Sequence, residues 1–164
     1  MLNIHSIHKI KDIIEKGIIE SHNIDTDNLS ALTKLKIARR VNQMLRLCLY
    51  IELYRRQNAT NFEPLLERKA LYHAMHTLFS IDPVKSQLYQ LKDIVILFHS
   101  EIKNLSLTRD AKDCIENLDE SVEYQTSVTR GFWETTAIDK RYMSEYYWDE
   151  FPIEETHRLL GEII

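Results

Sequence analysis

Val41-Asn42-Gln43-Met44-Leu45-Arg46-Leu47-Cys48-Leu49-Tyr50-Ile51-Glu52-Leu53-Tyr54 is the stretch whose reading decides the fold. Taken as a helix, its middle is apolar on nearly every side, with Arg46 and Glu52 as the charged interruptions. A surface helix shows one apolar stripe, so this pattern predicts a helix at the centre of a bundle, with neighbours on most faces. Taken as a strand, Leu45, Leu47, Leu49, Ile51 and Leu53 alternate with Arg46, Cys48, Tyr50 and Glu52. The upstream flank chooses between the two. Lys36, Ala38, Arg39 and Val41 run into the segment without a turn signal, and Met, Leu, Arg and Gln are good helix formers. The expectation is one helix from about Ser30 to Gln57, with a strand over 44–54 as the alternative. Inside such a helix a buried Glu52 needs a cation, and Arg46 or Arg56 could supply it.

Working outward, three glycines and three prolines in 164 residues argue against a turn-rich β fold and for helices joined by short loops. The length suits one domain spanning 1–164. The expected class is therefore all-α, a single bundle of six or seven helices around a long apolar central helix. No run of 18 apolar residues exists, and Arg39, Arg40, Arg55 and Arg56 flank the greasiest stretch, so no membrane span is expected. The N-terminus lacks a signal-peptide core. Cys48 and Cys114 stand far apart and read as two buried free thiols in a cytoplasmic protein.

Ile4, Ile7, Ile10, Ile14 and Ile18 mark a first amphipathic helix over about 3–20. Gly17 inside it implies either a nearby helix end or a neighbour approaching the backbone closely. Asp27 or Ser30 suits the cap of the central helix. A third helix is expected to open at Phe62-Glu63-Pro64 behind Asn61, burying Leu71, Ala74, Met75, Leu78 and Phe79. Asp82-Pro83 starts a fourth, striped by Val84, Leu88, Leu91, Val95, Phe98 and Ile102. A fifth runs from about 108 to Gly131, a sixth over about 134–150, and Pro152 separates a short seventh from Ile153 onward.

Charge divides the chain. Residues 1–80 carry 12 Lys or Arg against 8 Asp or Glu, while 81–164 carry 9 against 17, giving about +4 and -8. From Asp113 to Glu155 there are 12 acidic residues and three basic ones. The same region holds Phe132, Trp133, Tyr142, Tyr146, Tyr147, Trp148 and Phe151. Tyr and Trp give large rigid contact areas with a polar handle and concentrate in binding hot spots. The leading expectation is a non-enzymatic protein-binding domain of the inhibitor, immunity or adaptor kind. Its acidic, aromatic surface of Trp133, Tyr142, Tyr146, Tyr147, Trp148, Glu150 and Phe151 would meet another protein, a basic one. The central helix could also be shared in a homodimer.

Alternatives rest on fewer residues. Arg39, Arg40, Arg55 and Arg56, with Arg46, Lys34 and Lys36, could offer nucleic-acid phosphates a basic edge. Arg68-Lys69-Ala70-Leu71-Tyr72-His73 resembles the short motif of the HEPN superfamily of all-helical domains, although Lys69 stands where that motif commonly has Asn. The resemblance implies RNA cleavage at a dimer cleft, with Arg68 stabilising phosphate charge and His73 moving a proton. The aromatic third could instead line a pocket for a small apolar ligand. His73 with His76, and Glu154 with His157, have helical spacings that suit a metal, but a dinuclear bundle site needs more carboxylates than this pattern offers, so neither a metal nor another cofactor is expected.

Overall fold

In the computed structural model the described residues are 3–109, 111–113 and 145–161, and all of their regular structure is helical. Seven α-helices and one 3₁₀ turn appear among them: α1 (Ile4–Ser21), α2 (Ala31–Asn58), α3 (Lys69–Phe79), α4 (Pro83–Ser86), α5 (Leu91–Leu97), α6 (His99–Lys103), η1 (Trp148–Glu150) and α7 (Ile153–Gly161). The arrangement is an all-α bundle in which α2 packs against α1, α3, α6 and α7.

Local chemistry explains the first two starts. Asn3 caps α1 by accepting from the His5 amide at 2.9 Å, and Ser30 caps α2 by accepting from the Thr33 amide at 3.1 Å. The isoleucine stripe of α1 is buried at Ile7, Ile10, Ile14 and Ile18 and packs on α2. Met44, Leu45, Leu47, Cys48, Leu49 and Ile51 of α2 are covered by the helices of their own chain. Burial pushes the Cys48 thiol up to about 12, so it stays protonated and inert, whereas Cys114 lies outside the described residues.

The expected apolar central helix needs correcting. Helix α2 is long, but it is not apolar: Arg40, Glu52 and Arg55 are buried within it, each held in an ion pair. No helix among the described residues is long and apolar enough to cross a membrane. The expected six or seven helices become at least eight helical elements among the described residues, because one helix read as continuous is divided; another begins later than expected. Residues 61–68 form a turn-rich loop instead of the start of α3. There Thr60 Oγ1 accepts from the amides of Phe62 and Glu63, and Leu65 and Glu67 adopt left-handed backbone angles that a helix cannot contain.

The divided helix is the one expected over 83–103, which becomes α4, α5 and α6. Asp82 caps α4 and Pro83 sits in its first turn, as expected. A second start competes eight residues after Asp82, where Gln90 and Asp93 form a reciprocal capping box. The break shifts the helical phase. Leu91, Val95, Phe98 and Ile102 remain buried, while Val84 and Leu88 are left 74% and 80% exposed. The expected fifth helix begins where it was read: residues 109 and 111–113 are helical, the Lys112 amide donates to the Thr108 carbonyl at 2.8 Å, and Ala111 is buried. The rest of it, and most of the sixth, lie outside the described residues. The described end of the sixth is extended at Tyr147 and then turns through η1, so it is not α-helical.

Gly17 illustrates how tightly the two ends of the chain meet. Helix α1 continues past it to Ser21, and η1 packs directly on α1. A Cβ at Gly17 would collide with the backbone carbonyl oxygen of Asp149. Gly→Ala in a free helix stabilises by about 1 kcal/mol. Here Gly17→Ala is expected to reverse that sign and destabilise by about 1–3 kcal/mol, as overpacking does. Urea denaturation reads the difference, and a stabilised variant would show that the close approach is absent.

Candidate protein-binding groove

Glu150 positions the site. Its carboxylate is fully buried, and the hydration it forfeits makes this costly unless both oxygens find donors. Arg40 donates from Nη1 to Oε2 at 2.8 Å, and His22 donates from Nε2 to Oε1. Arg40 and His22 are themselves buried, one on α2 and the other just beyond α1. Three segments distant in sequence thus converge on one carboxylate.

The residues before Glu150 extend this docking. The Arg40 guanidinium lies 3.5 Å from the centre of the Tyr146 ring and also donates to the Glu145 carbonyl at 3.0 Å. The Tyr146 hydroxyl donates to Gln43 Oε1 at 3.0 Å. Tyr147 meets the His22 ring edge-on with centroids 5.0 Å apart, and Arg68 covers the Trp148 ring at 3.7 Å. Cation–π contacts of this kind contribute about 0.5–2 kcal/mol each, the larger figure where water is excluded. Phe151 enters the core, and Thr156 secures the first turn of α7 by donating to the Pro152 carbonyl at 2.7 Å.

Docked in this way, the C-terminal segment forms one wall of a groove of about 440 Å³ against α1. Ile13, Trp148 and Ile153 supply apolar surface, and Glu20, Asp149, Glu154 and Glu155 line the same groove with carboxylates. All four carboxylates are exposed. Two cations share the lining: Lys16, paired with Glu20 at 3.7 Å, and Arg68, occupied by Trp148. Four carboxylates against two cations leave this face acidic.

The residues singled out in sequence therefore have different placements. Tyr147 and Trp148 reach the surface, Tyr146 is half-buried on Arg40, and Glu150 and Phe151 are interior. Trp133 and Tyr142 lie outside the described residues. Of the four arginines read as a basic edge, Arg40 and Arg55 are buried in ion pairs, while Arg39 and Arg56 reach solvent. Arg68 and His73 take separate partners, Trp148 for the first and the Tyr54 hydroxyl at 2.8 Å for the second. Among the described residues no group of three or more His, Cys, Asp or Glu side chains is arranged to hold a metal. His22 and Arg40 escaped the sequence reading. Arg40 is in helical phase with Met44, Leu47 and Ile51, which was the available signal.

A second polar cluster joins α2 to α7. Glu52 accepts from Arg55 Nη2, and from Arg56 Nε at 3.1 Å. Arg46, the other expected partner, bonds Asn42 instead. Arg55 Nη1 donates to His157 Nε2 at 3.1 Å, which places the imidazole proton on Nδ1. That nitrogen faces Glu52 Oε2 at 3.5 Å, too far for a hydrogen bond. No protein-family model matches the chain, and no curated protein or solved structure matches it either.

Both clusters give expected outcomes. Glu150→Ala leaves Arg40 buried without its carboxylate and should cost about 3–5 kcal/mol in denaturant unfolding. Replacing Arg40 and Glu150 together by Met and Leu should cost less than the two single changes added. For His157, burial and then the Arg55 charge lower the pKa below its ordinary value of 6.5. The unfolded chain then binds this proton more readily than the folded one, so stability falls as pH drops below about 6.5 and levels off beneath the folded pKa. His157→Gln should flatten that part of the stability–pH curve, and an unchanged curve would contradict the shift.

Proposed function

We propose that the chain is a non-enzymatic protein-binding domain whose groove between α1 and the C-terminal segment receives a basic, partly apolar stretch of another protein. The carrying observation is that the exposed carboxylates of Glu20, Asp149, Glu154 and Glu155 share the lining of this groove with Ile13, Trp148 and Ile153. Aromatic surface framed by like charge supplies burial at the centre and steering at the rim. The principal buried ionisable clusters support the same reading. Glu150 is taken up by Arg40 and His22, and Glu52 by Arg55 and Arg56, so the two buried carboxylates serve the fold. Tyr147, 42% exposed beside Trp148, extends the contact area.

Rim charges act mainly through association rate and salt dependence. Wild-type protein immobilised in low salt is expected to retain a basic protein stoichiometrically and to release it as salt rises. Glu154→Lys with Glu155→Lys should weaken that retention more than tenfold while the protein stays folded, its melting temperature lowered modestly because both acids leave the first turn of α7. Equal retention by wild type and the reversed variant, or no retained protein, would overturn the assignment.

A further inference from the structure

The Glu52 cluster opens onto a second groove, of about 640 Å³. Its floor is Glu52, Arg55, Arg56 and His157, and Ala59, Pro64 and Leu66 form much of its wall. The volume lies in the range of small-molecule sites, which are lined chiefly by apolar groups with a few convergent polar ones.

Hydrogen-bond supply in the cluster is unbalanced. Each Glu52 oxygen already accepts from one arginine. Arg56 Nη2 donates to the Leu160 carbonyl, and Arg55 Nη1 to His157. Among the described residues Arg56 Nη1, Arg55 Nε and His157 Nδ1 then have no acceptor left. Glu52 is almost completely covered, whereas the Arg56 and His157 side chains are each about a third exposed. A ligand entering the groove therefore meets the guanidinium and not the carboxylate. Two arginines against one glutamate, with His157 held neutral by its surroundings, leave the floor positive.

We propose that this groove binds a small carboxylic acid with an apolar chain. The carboxylate would take the unused Nη1 of Arg56, in charge-assisted pairing. The chain would lie along Ala59, Pro64 and Leu66. The left-handed backbone at Leu65 and Glu67 fixes this wall, since the loop is held by Thr60, by Glu63 accepting from the Leu65 amide at 3.1 Å, and by the Lys69–Glu63 bridge at 3.1 Å. The site is separate from the acidic groove and does not depend on the protein-binding reading.

Calorimetric titration with decanoate, below its micelle-forming concentration, tests the proposal, with decanol and a short peptide ending in Leu-Phe as comparison probes. The expected result is saturable one-to-one binding of decanoate at least tenfold tighter than decanol, reduced at least tenfold by Arg56→Gln. Because Arg56 also ties α7, Ala59→Phe supplies an independent variant that fills the groove without touching the charges. It should abolish binding at an unchanged melting temperature. Absence of saturable binding, equal affinity for decanol, or binding that survives Ala59→Phe would overturn the site. Tighter competing binding of the peptide would overturn its assignment to a small acid.

Discussion

A carboxylate with no exposure to water, shared between Arg40 and His22, fixes how the C-terminal segment meets the rest of the bundle. Desolvating the three groups is expensive, and that cost is offset only when all of them are brought together in one geometry. The contact is therefore a matter of specificity more than of net stability. Once Glu150 is seated, Tyr146 is carried onto Arg40 and Gln43, Tyr147 onto His22, and Trp148 under Arg68. Gly17 allows the backbone of Asp149 to approach α1 closely enough for this to happen.

The acidic groove follows from that docking. Lys16 and Glu20 come from α1, and Asp149, Glu154 and Glu155 come from the segment that Glu150 anchors. The two buried carboxylates divide the molecule's polar interior between them. Glu150 joins α1, α2 and η1 on one side, and Glu52 joins α2 to α7 on the other. Between them lies the apolar body of Met44, Leu47, Cys48 and Ile51. Two of the recesses among the described residues thus differ in character, one lined by carboxylates and one by guanidinium groups.

Much of the helical order was legible in periodicity and capping. The isoleucine stripe of α1, the Ser30 cap, the Asp82-Pro83 start and the start of α7 at Ile153 are local signals, and local hydrogen bonds carry several of them out. The Glu52–Arg56 pair was also within reach, since helical spacing alone brings the two together. What escaped was non-local. Arg40 and Glu150 are separated by 110 positions, and nothing in either neighbourhood announces the other. The apolar appearance of α2 misled in part for the same reason, because Arg40 is neutralised inside by a distant partner, while Glu52 and Arg55 neutralise one another within the helix. Loop 61–68 and the Gln90 start were lost where side-chain hydrogen bonds to backbone outcompeted a continuing helix.

Native-state amide exchange at the C-terminal segment tests the central role of Glu150 most directly. The Glu150 and Phe151 amides donate within the 3₁₀ turn at 2.9 and 3.0 Å, to the carbonyls of Tyr147 and Trp148. A turn this short gives little protection by itself. If the buried carboxylate holds the segment to α1 and α2, both amides will exchange only as fast as the core amides of Ile14 and Leu47, through global unfolding. Exchange through local opening, much faster than those core amides, would contradict a latch at Glu150.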